Sequence, residues 1–141
     1  VNVGDKKISK RYAMAEGIVR VNEEIIEKIK KDNLPKGDLF GTARIAGIMA
    51  AKKTSELIPL CHNLIISSTE IEIKLIKNDI HVLSKVKCDG KTGVEMEALT
   101  AVSVSCLTIY DMLKGLDKNT FISNIQLLKK SGGKSGDWKR K

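Results

Sequence analysis

The chain has 141 residues, a length that fits one domain of common size and buries about two-thirds of the unfolded chain's surface. With 42% hydrophobic and 30% charged residues, the composition excludes a disordered chain, and no apolar run approaches the length of a membrane span. A net charge of +8 predicts attraction to polyanions: nucleic acid, an anionic membrane surface or a small polyphosphate.

Alternating small and apolar residues predict a first strand from Lys10 to Val21. Asn22 is the predicted N-cap of a short helix that ends near Pro35. Asp38 is the predicted N-cap of a second helix, from Leu39 to about Leu57. Because this second helix carries many Gly and Ala residues, we expect it to pack closely against another backbone.

The second half of the chain alternates in the same manner. Stretches from Leu64 to Lys77 and from Ile80 to Lys87 predict a β-hairpin with a turn at Asn78-Asp79. The longest helix is predicted from Val94 to Leu116, and a last strand from Phe121 to Lys130. This order of elements predicts an α+β sandwich, in which helices pack on one face of an antiparallel sheet.

The C-terminal residues, 131–141, are predicted to be a flexible Gly- and Lys-rich loop and tail of a single domain that spans residues 1–141. Gly132-Gly133, flanked by Lys130 and Lys134, offers free backbone N–H groups and two cations to a polyphosphate. A flexible terminal linker is the alternative reading. The pattern is not a Walker A motif, because Leu128 stands where the first Gly belongs.

Two pairs of charged residues are the main candidates for chemistry. Glu95 and Glu97 complement the dipole at the start of a mostly apolar helix, but residues two apart cannot share one helix face. At least one of them must therefore do something other than face solvent. Asp111 and Lys114 lie three apart, either as an ordinary surface ion pair or as an acid/base pair that tune each other's pKa.

The length of the predicted helix limits how these pairs act together. A continuous helix separates Glu97 from Asp111 by about 21 Å, which is too far for one small substrate to touch both in the same chain. Either the helix breaks early or two subunits share the site. We therefore predict an oligomer with composite active sites.

The cysteines and the histidine in the middle of the chain are weaker candidates. An odd count of three cysteines (Cys61, Cys88 and Cys106), without CxxC spacing, argues against a disulfide framework and a zinc site. We expect reduced thiols and a cytoplasmic location. His62 is a candidate for phosphate binding or proton transfer, although a structural role is more common. The chain begins at Val1 rather than Met, and we expect a short leader to be missing.

Several blocks of sequence, in order, resemble the molybdenum cofactor biosynthesis protein C family, the cyclic pyranopterin monophosphate synthases. The resemblance runs from Val1 to Trp138, and departures such as Asn2 and Asn63 touch none of the expected chemistry. The blocks are Lys36-Gly37-Asp38 with residues 42–48, Leu57-Ile58-Pro59-Leu60-Cys61-His62, Gly90-Lys91-Thr92-Gly93-Val94-Glu95-Met96-Glu97-Ala98-Leu99-Thr100, Leu107-Thr108-Ile109-Tyr110-Asp111-Met112, and residues 129–137.

The resemblance implies a ferredoxin-like fold and a hexamer, a trimer of dimers with active sites at the dimer interface. It implies a phosphorus–oxygen lyase that converts 3',8-cyclo-7,8-dihydro-GTP into cyclic pyranopterin monophosphate and pyrophosphate. The substrate would come from a separate radical enzyme that cyclises GTP. The family implies neither a metal nor an organic cofactor, and no nucleic-acid or membrane partner.

The resemblance also implies roles for individual residues. Asp111 matches the catalytic aspartate, and Lys114 matches a lysine that works beside it as acid or base. Substrate-binding positions match Leu60, Cys61, His62, Met96 and Glu97, with Glu95 as a nearby functional carboxylate. Basic residues expected to bind the triphosphate or assist its departure match Lys36, Lys130 and Arg11. The expected catalytic set is Asp111, Lys114, Lys36 and His62.

Two other classes of function remain as alternatives. A basic α+β chain suits an RNA-binding module, which would show a steep salt dependence of RNA binding. The five aromatic residues are not interleaved with the basic ones, which weakens that reading. The other alternative is a scaffold that pairs with the upstream radical enzyme without turnover of its own.

Overall fold

The computed structural model describes residues 2–141, which form a five-stranded antiparallel sheet with helices packed on one face. The strand order is β2-β3-β1-β4-β5, and the long strands follow the β-α-β-β-α-β order of a ferredoxin-like sandwich. The predicted α+β fold is confirmed. The elements are β1 (Ser9–Arg20), α1 (Glu23–Lys30), α2 (Leu39–Lys52), α3 (Thr54–Leu57), β2 (Ile66–Ile76), β3 (Asp79–Gly90), α4 (Glu95–Leu113), β4 (Phe121–Ser131) and β5 (Trp138–Lys139).

Both predicted N-caps begin helices. The Asn22 side chain accepts a hydrogen bond from the Ile25 N–H at 2.9 Å, and the Asp38 side chain accepts one from the Gly41 N–H at 3.1 Å. Each cap satisfies a backbone donor that the first turn of a helix leaves free. The cap at Asp38, two residues after Lys36, also fixes where α2 begins.

Helix α4 lies at the centre of the core. Its inward stripe of Val102, Cys106, Ile109 and Leu113 is fully buried, as the helical spacing predicts. By length and composition α4 would be long enough to cross a membrane, contrary to the expectation from the sequence. Half of that stretch is buried inside the fold, against the sheet and α2. Its apolar character is that of a core helix.

Helices α2 and α4 approach closely and run antiparallel. The Ser105 hydroxyl donates a hydrogen bond to the Ala43 carbonyl at 2.8 Å, and a side chain on Gly47 would overlap Ser105 and press against the Ala101 carbonyl. The small residues of α2 are therefore needed for contact between the two backbones, as predicted. In consequence, the start of α2 lies beside the end of α4.

The prediction of one helix from Leu39 to about Leu57 is wrong in one respect, because the helix is interrupted at Lys53 and forms α2 and α3. The hydroxyl of Thr54 donates to the carbonyls of Ala50 and Ala51 at 3.1 and 3.0 Å. A threonine that bonds back to the preceding turn competes with the regular ladder and favours a bend.

Two strand boundaries also differ from the prediction. The hairpin turn lies at Lys77-Asn78 rather than Asn78-Asp79, with Lys77 at a φ of +56°. No strand was predicted after Lys130, yet Trp138 and Lys139 form β5 and pair with the end of β4. So short a strand has too few residues to show an alternating pattern.

Candidate active site

Asp111 lies between two lysines at the C-terminal end of α4. The Lys114 Nζ atom is 3.0 Å from Asp111 Oδ1, and the Lys36 Nζ atom is 3.2 Å from Asp111 Oδ2. Lys36 Nζ also donates a hydrogen bond to the Asp111 carbonyl at 3.0 Å. We call Lys36, Asp111 and Lys114 the C-terminal cluster.

Local structure explains why both lysines gather here. The Asp111 carbonyl is one of the last four of its helix, which have no partner within the helix, and the negative end of the helix dipole attracts cations. Because α2 runs antiparallel to α4, the residue two positions before its N-cap arrives beside Asp111. The Asp111–Lys114 ion pair expected from their spacing is confirmed, and Lys36 is added to it.

The two lysines hold Asp111 in its charged form. The hydrogen bond from Lys114, followed by that from Lys36, lowers the pKa of Asp111 below its ordinary value of 3.8. The Asp111 side chain is 57% exposed, so a ligand can reach it, and solvent weakens the ion pairs. At neutral pH this cluster presents a carboxylate able to accept a proton beside two ammonium groups.

A second group of side chains lies at the N-terminal end of α4. Glu97 is buried, with 2% of its surface exposed. The Cys61 thiol donates to Glu97 Oε2 at 3.6 Å, whereas Glu97 Oε1 meets no donor among residues 2–141. Glu95 is half-buried, and its Oε1 lies 3.5 Å from Lys130 Nζ. The two carboxylates do not both face solvent, as predicted.

Burial shifts the pKa of Glu97 in the direction opposite to the shift at Asp111. Desolvation raises the pKa of Glu97, and hydrogen bonding from its own backbone N–H and then from the Cys61 thiol offsets this only in part. Desolvation also raises the pKa of the Cys61 thiol, and the Glu97 carboxylate raises it further. Glu97 thus favours its protonated form more than an ordinary carboxyl group, and Cys61 is a thiol rather than a thiolate nucleophile.

Arg11, on β1, lies near the N-terminal end of α4. It pairs with Cys88 across β1 and β3, and its Nε–H donates to the Gly90 carbonyl at 3.2 Å. Burial raises the pKa of the Cys88 thiol, the Glu97 carboxylate raises it further, and the Arg11 guanidinium lowers it. Both charged groups therefore lie near this thiol. We call this group of side chains the N-terminal cluster: Arg11, Cys61, Glu95, Glu97 and Lys130.

The remaining candidates flank this cluster. Leu60 is 79% exposed and Met96 is 36% exposed, and each lies next to a member of the cluster in the chain. His62 follows Cys61 and is half-buried. In the part of the chain that the structure describes, the His62 ring forms no hydrogen bond or ion pair. Its position suits a loop around the site, whereas direct contact with Asp111 is not observed.

The two clusters stand at opposite ends of one unbroken helix. Since α4 is continuous from Glu95 to Leu113, Glu97 and Asp111 are separated by about 21 Å along its axis. The alternative in which the helix breaks early is therefore wrong. Within residues 2–141, no group of three or more His, Cys, Asp and Glu side chains has the arrangement of a metal site.

Comparison with known proteins shows the family of the chain. The model of the MoaC family matches residues 1–133. The chain belongs to the MoaC family. Proteins named cyclic pyranopterin monophosphate synthase are 51% identical in Peptoclostridium acidaminophilum, 55% in Clostridium botulinum and 53% in Brucella ovis. Each alignment covers 140 residues, which is 98–99% of this chain and 85–89% of the relative.

In this MoaC-family chain, sequence reasoning found the charged residues but missed some of their neighbours. The structure brings Lys36 to Asp111 and Lys130 to Glu95, contacts that no spacing along the chain predicts. The thiol–carboxylate contact of Cys61 and Glu97 was also missed. The only signal for it was an apolar helix that carried two carboxylates at its start.

The geometry predicts the titration of Asp111. Replacing Lys114 by Gln removes the leading cause of the lowered pKa, so we expect the pKa of Asp111 to rise toward 3.8. Carboxyl-detected NMR across an acidic pH series would measure it. The matched control is Lys30→Gln, whose lysine pairs with Glu27 instead. An unchanged Asp111 pKa in Lys114→Gln would contradict the C-terminal cluster.

The N-terminal cluster predicts the reactivity of Cys61. In Glu97→Gln the pKa of the Cys61 thiol should fall toward 9.0, so more thiolate is present at pH 7.5. We expect alkylation of Cys61 by iodoacetamide to be at least about twofold faster, measured by peptide mass spectrometry. Glu27→Gln is the matched control, and fully buried Cys106, with a pKa raised to about 12, should stay unlabelled. Equal rates in the two variants would refute the Cys61–Glu97 contact.

Proposed function

We propose that this chain is a cyclic pyranopterin monophosphate synthase in molybdenum cofactor biosynthesis. Its substrate would be (8S)-3',8-cyclo-7,8-dihydroguanosine 5'-triphosphate, and its products cyclic pyranopterin monophosphate and pyrophosphate. The observation that carries the proposal is the 51–55% identity, over almost the whole chain, to relatives with that name. The reaction makes the enzyme a phosphorus–oxygen lyase.

The C-terminal cluster supplies acid and base in this proposal. Rearranging the purine ring into a pterin requires ring opening and closing, with a proton transfer at each step. Asp111 is held as a carboxylate and accepts a proton. Lys114 and Lys36, both within 3.2 Å of Asp111 oxygen atoms, donate protons to departing groups.

The N-terminal cluster binds the substrate. Glu97 Oε1 is buried without a donor in the described chain, and native proteins rarely leave such an atom unsatisfied. An N–H group of the substrate's guanine-derived ring is a donor of the required kind. Arg11 and Lys130 lie nearby, and cations placed where charge develops on the departing pyrophosphate lower the barrier. Leu60, Cys61, His62 and Met96 would surround the ring.

We propose that two copies of the chain complete each site. The residue halfway between Glu97 and Asp111 is Val104. If two α4 helices pair antiparallel about a two-fold axis near Val104, Glu97 of one copy lies opposite Asp111 of the other. The outer surface of the helices supports this arrangement, because apolar side chains on α2, α3 and α4 are exposed there: Ile45, Met49, Leu57 and Leu107.

The wider setting follows from the same proposal. Such dimers would assemble in threes into a hexamer, and the enzyme would work in the cytoplasm without a metal or organic cofactor. It would take its substrate from a radical enzyme that cyclises GTP. Nucleic acid and membranes have no part in this function.

Turnover tests the function directly. The protein is incubated with the cyclised dihydro-GTP, and pyrophosphate and pterin are followed by mass spectrometry. We expect product from the wild type and a loss of about 100-fold or more in Asp111→Asn. Asp32→Asn, at an exposed turn, is the matched control and should stay active. A folded wild type without product would refute the function, and a fully active Asp111→Asn would refute the role of Asp111.

Mixing two inactive variants tests the composite site. Asp111→Asn and Glu97→Gln are unfolded, combined and refolded together, so that mixed dimers form. A mixed dimer holds one intact site, and random pairing restores about one quarter of the wild-type sites. Asp111→Asn mixed with Lys114→Gln is the matched control, because both changes lie in one cluster and no intact site can form. Equal activity in the two mixtures would contradict a shared site.

A further inference from the structure

The chain after β4 turns back across the start of β1. Gly132, Gly133 and Gly136 adopt positive φ angles of +96°, +79° and +70° in this turn. Beyond the turn, β5 pairs with the end of β4, and the Arg140 backbone N–H donates to the Leu128 carbonyl at 2.7 Å. The turn is therefore held at both ends by backbone hydrogen bonds, and its position over β1 is defined.

Gly133 faces the guanidinium group of Arg11. A Cβ atom on Gly133 would overlap Arg11 Nη1 and crowd the rest of the guanidinium. The far side of the Arg11 side chain is restrained by the hydrogen bond from Nε to the Gly90 carbonyl at 3.2 Å. The missing side chain of Gly133 thus provides the space that this guanidinium occupies.

Neighbouring glycines have different surroundings. A Cβ on Gly132 would overlap the Lys10 carbonyl, which belongs to the backbone of β1 and cannot move without disturbing the sheet. A Cβ on Gly136 would meet nothing within 4 Å. Of these three glycines, only Gly133 is placed so that the added atom would displace the far end of a flexible side chain, which lets the fold survive while the guanidinium moves.

We propose that Gly133 is a positioning residue, which holds the Arg11 guanidinium in its place within the N-terminal cluster so that it binds the polyphosphate of the substrate. The inference rests on the proposed function, and it deepens that function by adding a residue that touches no ligand. Arg11 uses its Nε–H on Gly90, which leaves four other N–H groups of the guanidinium for anion oxygens. Lys130, held near Glu95, supplies a second cation at the same place.

The physical reason for such precision is the planar geometry of arginine. A guanidinium binds two phosphate oxygens through parallel N–H groups only when its plane and position are correct. The Gly90 carbonyl and the Gly133 backbone constrain it from two sides, which reduces the freedom lost on binding. A side chain at position 133 would leave the charge in the region but remove this alignment.

The experiment compares Gly133→Ala with Gly136→Ala, which carries a similar cost from its positive φ but meets no atom. Two assays are used, binding of inorganic pyrophosphate by calorimetry and turnover of the cyclised dihydro-GTP. We expect Gly133→Ala to weaken pyrophosphate binding and to raise KM by about tenfold. Gly136→Ala should change either value by no more than about twofold. A folding defect would lower the active fraction, and hence kcat, without raising KM.

A double-mutant cycle tests whether Gly133→Ala weakens pyrophosphate binding through Arg11. In an Arg11→Ala background the guanidinium is gone, so adding Gly133→Ala should cause no further loss of pyrophosphate binding. A full additional loss in that background, or equal losses in Gly133→Ala and Gly136→Ala, would overturn the inference. If the wild type turns over substrate while the cycle is additive, only the inference fails. If Gly133→Ala causes no further loss of pyrophosphate binding in the Arg11→Ala background but the wild type shows no turnover, the proposed function fails and the positioning of Arg11 stands.

Discussion

The close antiparallel contact of α2 and α4 determines which residues outside α4 reach each of its two ends from α2 and the segments that flank it. Gly47 and Ala43 let the two helix backbones meet, and Ser105 ties them with a buried hydrogen bond. Because the helices run in opposite directions, the segment that enters α2 reaches the end of α4, which brings Lys36 to Asp111. The segment that leaves α2 reaches the start of α4, which brings Cys61 to Glu97. One packing contact therefore contributes to both clusters, and strands β1 and β4 add Arg11 and Lys130 to the N-terminal cluster.

The surroundings at the two ends of α4 shift the pKa of a carboxyl group in opposite directions. At the C-terminal end, two lysines stabilise an exposed carboxylate and lower the pKa of Asp111. At the N-terminal end, burial destabilises a carboxylate and raises the pKa of Glu97, although the helix dipole there favours negative charge. Two carboxyl groups with pKa values moved apart are a common arrangement in enzymes that need both an acid and a base.

Local patterns in the sequence predicted the elements and the caps, and they failed where contacts are long-range. Asn22 and Asp38 were predictable because a cap bonds within three residues, and Asp111–Lys114 because helical neighbours are three or four apart. The contact of Lys36 with Asp111 spans 75 residues and exists only once α2 and α4 have packed. For the same reason the close approach of the Gly133 backbone to the Arg11 guanidinium has no local signature. The resemblance to a family supplied residue identities, whereas the contacts required the fold.

The separation of the two clusters is a property of the core rather than of a flexible segment. Val102, Cys106 and Ile109 lie between Glu97 and Asp111, and all three are fully buried. Bending α4 to bring its ends together would expose these side chains, and removing a single such side chain from a core already costs about 2–5 kcal/mol. Pairing two rigid chains requires no such loss, and it covers apolar residues such as Leu107 that a single chain leaves in water. If both clusters act on one substrate, assembly of two copies is therefore the route that this fold permits at least cost.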